Sequence, residues 1–297
     1  MINCIFQNMY SWAENMNNKF LKLFIRTIAN IVLPVYYRFT RTPSTNSKQN
    51  NCLTVSLTSI PIRISKLWIV IESILRQTHN VNRIVLYLSS INFPHKEKDL
   101  PTSLLKLKKH GLEIYFYDED LRSYKKFYYA FQDPLNSIVI TVDDDIVYPP
   151  NMIEELINKH QEHPYSVIAR YAHHVDLNIP YNQWNNIFST NPSNSIFFGS
   201  GGGTLFPIVH FHKDFFRKDL FKDLCKYADD IWLNIFIRLS GLNVYLLNGK
   251  STHILNIQTF NDKRLTTINC GNNQNDVQLH KVMDYLLQEY EIKVDFR

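Results

Sequence analysis

The stretch Ile138–Pro150, I-V-I-T-V-D-D-D-I-V-Y-P-P, decides the fold. An apolar, β-branched run (Ile138, Val139, Ile140, Val142) ends abruptly at three carboxylates, Asp143, Asp144 and Asp145. The lack of polar alternation predicts a strand buried on both faces, as in the middle of a parallel sheet. Adjacent carboxylates at the end of such a strand repel one another unless a cation or hydrogen-bond donors neutralise them. Residues two apart in an extended chain point the same way, so Asp143 and Asp145 are expected to face one ion together. Open α/β sheets bind ligands at the carboxyl ends of their strands. The segment is therefore a candidate site for Mg²⁺ or Mn²⁺ carrying a phosphorylated substrate. The alternative is a solvated acidic turn before Pro149 and Pro150; the buried strand before it and the helix after it favour the metal.

Upstream of this strand the pattern is strand-helix-strand. Leu53–Leu57 and Arg83–Leu88 are expected strands, with Ser65 as N-cap of an intervening helix that turns Trp68, Ile71 and Leu75 to one side. The first connection, T-S-I-P-I-R, places Thr58, Ser59 and Arg63 at the ligand edge, where they could hold a nucleotide or form an ordinary turn. Leu112–Tyr117 is a third strand, followed by a helix over Leu121–Phe131 with Arg122, Lys125 and Lys126 near its start. Those charges either solvate the helix or, through one of them, meet a diphosphate. Asn151–His160 is a helix stopped at Pro164. Strands alternating with helices imply right-handed crossovers and a three-layer α/β sandwich.

Downstream, Tyr165–Tyr171 is an expected strand leading to Arg170 and the pair His173-His174, which lacks the spacing of a metal site. After Ser195–Phe198, the run G-S-G-G-G (Gly199–Gly203) holds four of the chain's eight glycines and leads into Thr204–Ile208. It has neither the Walker ending nor the Rossmann context; it is a loop wall around a sugar or a tight bulged turn. Asp229 and Asp230 stand at the start of a helix ending at Gly241. They are either simple caps or, given the first acidic site, a carboxylate that takes a proton from a hydroxyl. Val244–Leu247 is a further strand, followed by His253. Asp276–Tyr290 is a final helix, preceded by an Asn-rich loop over Asn269–Asn275.

Composition narrows the classes. At 297 residues and 45% apolar content the chain suits one large α/β domain with appendages. Cys4, Cys52, Cys225 and Cys270 have no zinc spacing and fit a reducing cytoplasm. Residues 1–41 carry Lys19, Lys22, Arg26, Arg38 and Arg41 against Glu14 alone, and so hold nearly all of the net charge of +5. The remainder offers no basic face, and no nucleic-acid partner is expected. Within that segment Trp12–Phe39 has helical apolar spacing, but its uncharged part, Thr27–Tyr37, is about half the ~20 residues of a bilayer span. No basic start or small-residue cleavage site marks a signal peptide. The expectation is an interfacial helix over residues 12–41 drawn to anionic lipid, the alternative a helix packed on the catalytic domain. The organisation expected is a helical segment 1–41, a linker 42–51 (R-T-P-S-T-N-S-K-Q-N-N from Arg41), a catalytic domain 52–250 and a C-terminal loop and helix 251–297.

Together S-L-T-S-I-P-I-R-I, S-I-L-R-Q-T, S-Y-K-K-F, V-D-D-D-I-V-Y-P, G-S-G-G-G-T-L-F-P and A-D-D-I-W-L resemble bacterial glycosyltransferases of the GT-A fold, across about Leu53–Leu247. Gln77-Thr78 is similar to family 2 enzymes, and the D-D-D strand with a later acidic helix resembles exostosin-like enzymes too. The resemblance implies a GT-A-type three-layer α/β/α sandwich around a central, mostly parallel sheet, with an N-terminal helical extension. It implies an enzyme of the EC 2.4 class moving one hexosyl or N-acetylhexosaminyl unit from a nucleotide-diphosphate sugar, a UDP-sugar first, to a glycan or lipid-linked hydroxyl. Surface polysaccharide or lipo-oligosaccharide synthesis at the inner face of a membrane would be its setting. Asp143 and Asp145 inherit the metal and Asp143 and Asp144 donor contacts, with Thr58, Ser59, Arg63 and Lys126 beside them. Asp230, with Asp229, inherits the catalytic carboxylate, and Trp184, Gly201, Gly202 and Gly203 line the acceptor or sugar. Two departures stand out: Leu88-Ser89-Ser90 replaces an aspartate that would hold the base, and no Q-x-x-R-W signature of processive enzymes occurs. A sugar nucleotidyltransferase is the alternative, but it would want a glycine-rich loop where Thr58–Arg63 has none. A non-catalytic glycan- or lipid-binding protein is the other.

Overall fold

A computed structural model of the chain describes residues 2–45, 53–185, 187, 189, 191–249, 255–257 and 273–296. The linker expected over 42–51 lies outside them beyond residue 45, as do His253 and the Asn-rich loop up to residue 272.

The apolar runs form a seven-stranded sheet. In chain order its strands are β1 (Leu53–Thr58), β2 (Arg83–Ser89), β3 (Leu112–Tyr117), β4 (Ile138–Val142), β6 (Ser166–Ala169), β9 (Gly202–Pro207) and β10 (Asn243–Leu246). The spatial order is β10-β6-β9-β4-β1-β2-β3. β4 is parallel to β1, while β9 runs antiparallel to both β4 and β6. The sheet is thus mixed but mostly parallel, and the acidic strand lies at its centre. Short ladders join β5 (Ile146–Val147) to β11 (Leu255–Asn256) and β7 (Ala172–His174) to β8 (Ile196–Phe198).

Alternate side chains enter two apolar layers. Val55, Ile84, Ile140 and Val142 enter one, with α4 (Leu67–Leu75) and α7 (Met152–Glu162). Val85, Val139, Val167 and Phe206 enter the other, with α6 (Lys125–Tyr128), α9 (Asp229–Leu239) and α10 (Gln274–Tyr290). The remaining helices, α3 (Pro61–Ile64), α5 (Thr102–Leu105) and α8 (Lys218–Leu224), are short. Gln77 and Thr78 secure the turn after the acidic strand: Gln77 Nε2 donates to the Pro149 carbonyl at 2.8 Å and Thr78 N to that of Pro150 at 2.8 Å.

Three local expectations are corrected. Ser65 ends α3, and α4 begins after Lys66 with no side-chain cap, because Pro61 starts a separate turn of helix. The helix expected over Leu121–Phe131 is broken into short 3₁₀ and α pieces, entered through Arg122 at φ 53°. The N-terminal segment is two helices, α1 (Ile2–Asn15) and α2 (Lys19–Phe39), parted at Asn17 (φ 51°) and restarted by Asn18, whose side chain accepts from Leu21 N at 3.0 Å.

This hairpin packs on the domain. Phe6, Tyr10, Ala13, Ile25, Ala29, Leu33 and Tyr37 belong to the first apolar layer. Polar ties fix the same side: Asn3 Nδ2 donates to the Tyr148 carbonyl (2.8 Å), Gln7 Nε2 to that of Val147 (2.7 Å) and Asn30 Nδ2 to that of Asn256 (3.1 Å). Leu33 is 1% exposed, so Leu33→Ala should lower unfolding free energy by about 2–5 kcal/mol, read from urea denaturation. A loss under about 0.5 kcal/mol would show that the hairpin does not share the core.

Candidate active site

Four elements converge at the carboxyl edge of the sheet: the end of β4, the turn after β1, the glycine-rich turn between β8 and β9, and the first turn of α9. Beyond Val142 the chain leaves the strand and residues 144 and 145 form a turn. The two-residue alternation therefore stops: Asp143 faces Lys126 at 2.9 Å and Asp145 faces Arg63 at 3.5 Å. Asp144, between them, is buried; it accepts from Ser59 Oγ at 2.6 Å and from Arg63 Nη1 at 2.9 Å. Burial raises its pKa, with Arg63 and Ser59 opposing.

Lys126 is the centre of the site. Its side chain is 4% exposed, and its ammonium lies 2.9 Å from Asp143 Oδ1 and 3.3 Å from Asp229 Oδ2. Burial disfavours its charge, but Asp143, Asp229 and Asp230 outweigh that and raise its pKa. Of the three basic residues expected near this helix start, only Lys126 reaches the carboxylates. Lys125 pairs with Asp120, and Arg122 lies 4.6 Å over the Tyr227 ring.

Asp229 and Asp230 open α9 behind Ala228, which offers no cap. They reach across to the glycine-rich turn: Ser200 N donates to Asp230 Oδ1 at 2.7 Å and Ser200 Oγ to Asp229 Oδ2 at 3.0 Å. Burial and the adjacent Asp229 carboxylate push Asp230 up to about 7, against Lys126 and the Ser200 donors. A carboxylate near neutrality is suited to accept a proton. Asn234, one turn along α9, clamps β8 by exchanging hydrogen bonds with Phe198.

The glycines let the turn close onto neighbouring side chains. A Cβ on Gly201 would lie 1.8 Å from Asp143 Oδ2, and one on Gly202 would lie 2.6 Å from the Tyr171 Cβ. Gly203 adopts φ +89°. The ladder slips between Thr141 and Val142 opposite this run, so the bulged turn is present. Gly201, Gly202 and Gly203 are all buried; their part is to hold Asp143, whose N–H donates to the Gly201 carbonyl at 3.1 Å. Tyr148 completes the seat, its hydroxyl donating to that carbonyl at 2.5 Å and accepting from Asp143 N at 2.8 Å.

Other expected contacts fall elsewhere. Trp184 is 7% exposed, packs against Tyr181 and Phe197 and donates from Nε1 to the Asp176 carbonyl at 2.8 Å; the structure places it in the core, not beside an acceptor. Thr58 Oγ1 donates to the Tyr87 carbonyl at 2.7 Å, tying β1 to β2. His173 pairs across from Phe197 in the β7–β8 ladder. Sequence reasoning assigned nothing to Ser200 or Tyr148. A serine inside a glycine run was the available sign for the first; the second bonds back along its own segment, which no spacing rule reveals.

A divalent cation is implied by the fold family. Among the described residues no group of three or more His, Cys, Asp or Glu side chains is arranged to hold one. Yet the donors are hard oxygens, and the Asp143 side chain is 42% exposed. That suits an ion held by one or two carboxylates with substrate phosphate completing its shell.

Residues 63–225 match the profile of Glycosyl transferase family 2. No curated protein sequence matches the chain. Among solved structures, TarS 1–349 of S. aureus is similar at 10% identity and TM-score 0.44, over 67% of this chain and 59% of that one. The mannosyltransferase PcManGT of Pyrobaculum calidifontis, solved with GDP-Man and Mn²⁺, is similar at 12% identity and TM-score 0.45, over 75% and 64%. The chain thus covers less than two thirds of either.

Gly201→Ala should displace Asp143 and cut turnover by about a hundredfold; activity within about twofold of the parent would show that the close approach is not needed.

Proposed function

Because this chain belongs to glycosyl transferase family 2, enzymes that transfer a sugar from a nucleotide sugar, we propose that Lys126, Asp143, Asp145, Asp229 and Asp230 carry out that transfer here. The acceptor proposed is a single hydroxyl of a glycan or lipid-linked saccharide. The observation that carries this reading is the ion-paired chain from Asp143 through Lys126 to Asp229, which links the acidic turn to the start of α9, where burial and Asp229 raise the pKa of Asp230.

The donor diphosphate lies against the acidic turn. Asp143 or Asp145 would hold a divalent cation there, which when bound supplies positive charge to the departing diphosphate. Lys126 contributes a fixed ammonium in a water-poor setting, where charge stabilisation is strong. Arg63, held by Asp144 and Asp145, keeps the turn in shape as charge develops. Asp230 takes the proton of the acceptor hydroxyl as its oxygen bonds to the anomeric carbon. The bond from that carbon to the diphosphate oxygen breaks, and its electron pair leaves with the nucleotide. Ser200 orients both carboxylates of α9.

Asp230 must be unprotonated to act, so with a pKa of about 7 the rate should rise with pH up to about 7 and level above it. Lys126→Met removes a group that favours the ionised form and should move this limb to higher pH; an unchanged limb would exclude Asp230 as its source. Asp230→Asn should cost about 10²–10⁴ in kcat while sparing donor binding. Asp145→Asn should weaken metal-dependent donor binding as well. The decisive experiment is thermal protection by UDP or GDP with and without Mn²⁺, followed by a nucleotide-sugar screen for hydrolysis. Protection that needs Mn²⁺ supports the reading; no nucleotide binding under either condition overturns it.

A further inference from the structure

The N-terminal hairpin is apolar on two sides. One side is sealed in the core. On the other, Phe20, Phe24, Ile31 and Val35 of α2 recur at helical spacing and are exposed, Phe20 by 88%. Met9 and Trp12 of α1, and Met16 in the turn that follows it, are exposed as well. A stripe of large apolar side chains on two adjacent helices exceeds what scattered surface residues produce.

Charge around the patch is one-sided. Glu14 is the hairpin's lone acid and pairs with Lys22. Lys19 opens α2, and Arg38 and Arg41 stand exposed at its far end. An apolar strip bounded by cations and lacking exposed acid complements an anionic lipid surface. Length and composition would let α2 cross a membrane, but Ile25, Ala29, Leu33 and Tyr37 bind its other side to the domain. A helix so held can be immersed only along its outer side.

We propose that the outer side of the α1–α2 hairpin seats the protein in the interface of an anionic bilayer, lying in it without spanning. Trp12 and the Phe20–Phe24 pair enter the acyl boundary, while Lys19 and Arg41 meet headgroup phosphates. Because Gln7 and Asn3 bond the carbonyls of Val147 and Tyr148, just after Asp145, the seat is joined to the acidic turn without a linker.

The test is flotation of the full chain with phosphatidylcholine vesicles with and without phosphatidylglycerol, at low and high salt. The chain should float with the anionic vesicles at low salt. Phe20→Ser/Phe24→Ser/Ile31→Ser should lose about tenfold or more of that binding with unchanged Tm, since the replaced side chains are exposed. Lys19→Glu/Arg41→Glu should lower binding to anionic vesicles alone. Failure of the parent chain to float with anionic vesicles overturns the proposal, as does flotation of the triple serine variant at parental level. So would a parent dimer in solution that the serine variant converts to monomer, since the side would then lie between two copies.

Discussion

A buried ammonium between two carboxylates of different elements holds this site together. Lys126 comes from the segment after β3, Asp143 from the end of β4 and Asp229 from the start of α9, so three separate parts of the chain share one charge. Lys126 and Asp229 are both buried, and removing one partner of such a pair leaves an uncompensated charge and costs about 3–5 kcal/mol; Asp143, more exposed to solvent, adds less. The arrangement also explains why neighbouring acids can coexist: Asp143 faces Lys126, while Asp144 and Asp145 share Arg63 and Asp144 accepts from Ser59 as well.

The second condition is steric. Lys126 can reach both acids only if the glycine-rich turn comes close enough to hold Asp143 from behind and Ser200 presents two donors to α9. Any side chain at Gly201 would occupy the space of the Asp143 carboxylate. The scarcity of glycine elsewhere makes sense beside this: half of the chain's glycines lie where this turn closes onto the side chains of Asp143, Tyr171 and Met152.

How much of this was legible follows from which forces are local. The sheet was readable because continuous apolar runs report burial on two faces; strand positions agree within a residue or two, and the acidic strand is central as its composition demands. The segment after β3 was not, because Tyr124, Phe127 and Phe131 satisfy helical spacing while their packing on Phe215 and Phe221 breaks the helix into short pieces. Asp229 and Asp230 looked equally like caps, and only the position of Ser200 separates the cases. Trp184 was assigned to the acceptor through the resemblance alone, and its local sequence carries no sign that Tyr181 and Phe197 cover it. α1 was missed because its polar residues Asn3 and Gln7, which interrupt the apolar pattern, bond the carbonyls of Tyr148 and Val147.

The insertion of β9 between β4 and β6 has a consequence for synthesis on the ribosome. The parallel unit β1–β4 can pair early, yet one edge of its most apolar strand stays bare until residues 202–207 have been made and have left the exit tunnel. An uncovered edge of that composition templates pairing with foreign chains, and long-range pairing is slow. Newly made chains are therefore most prone to aggregate in the interval between the emergence of Val142 and that of Pro207, a window set by strand order and not by final stability.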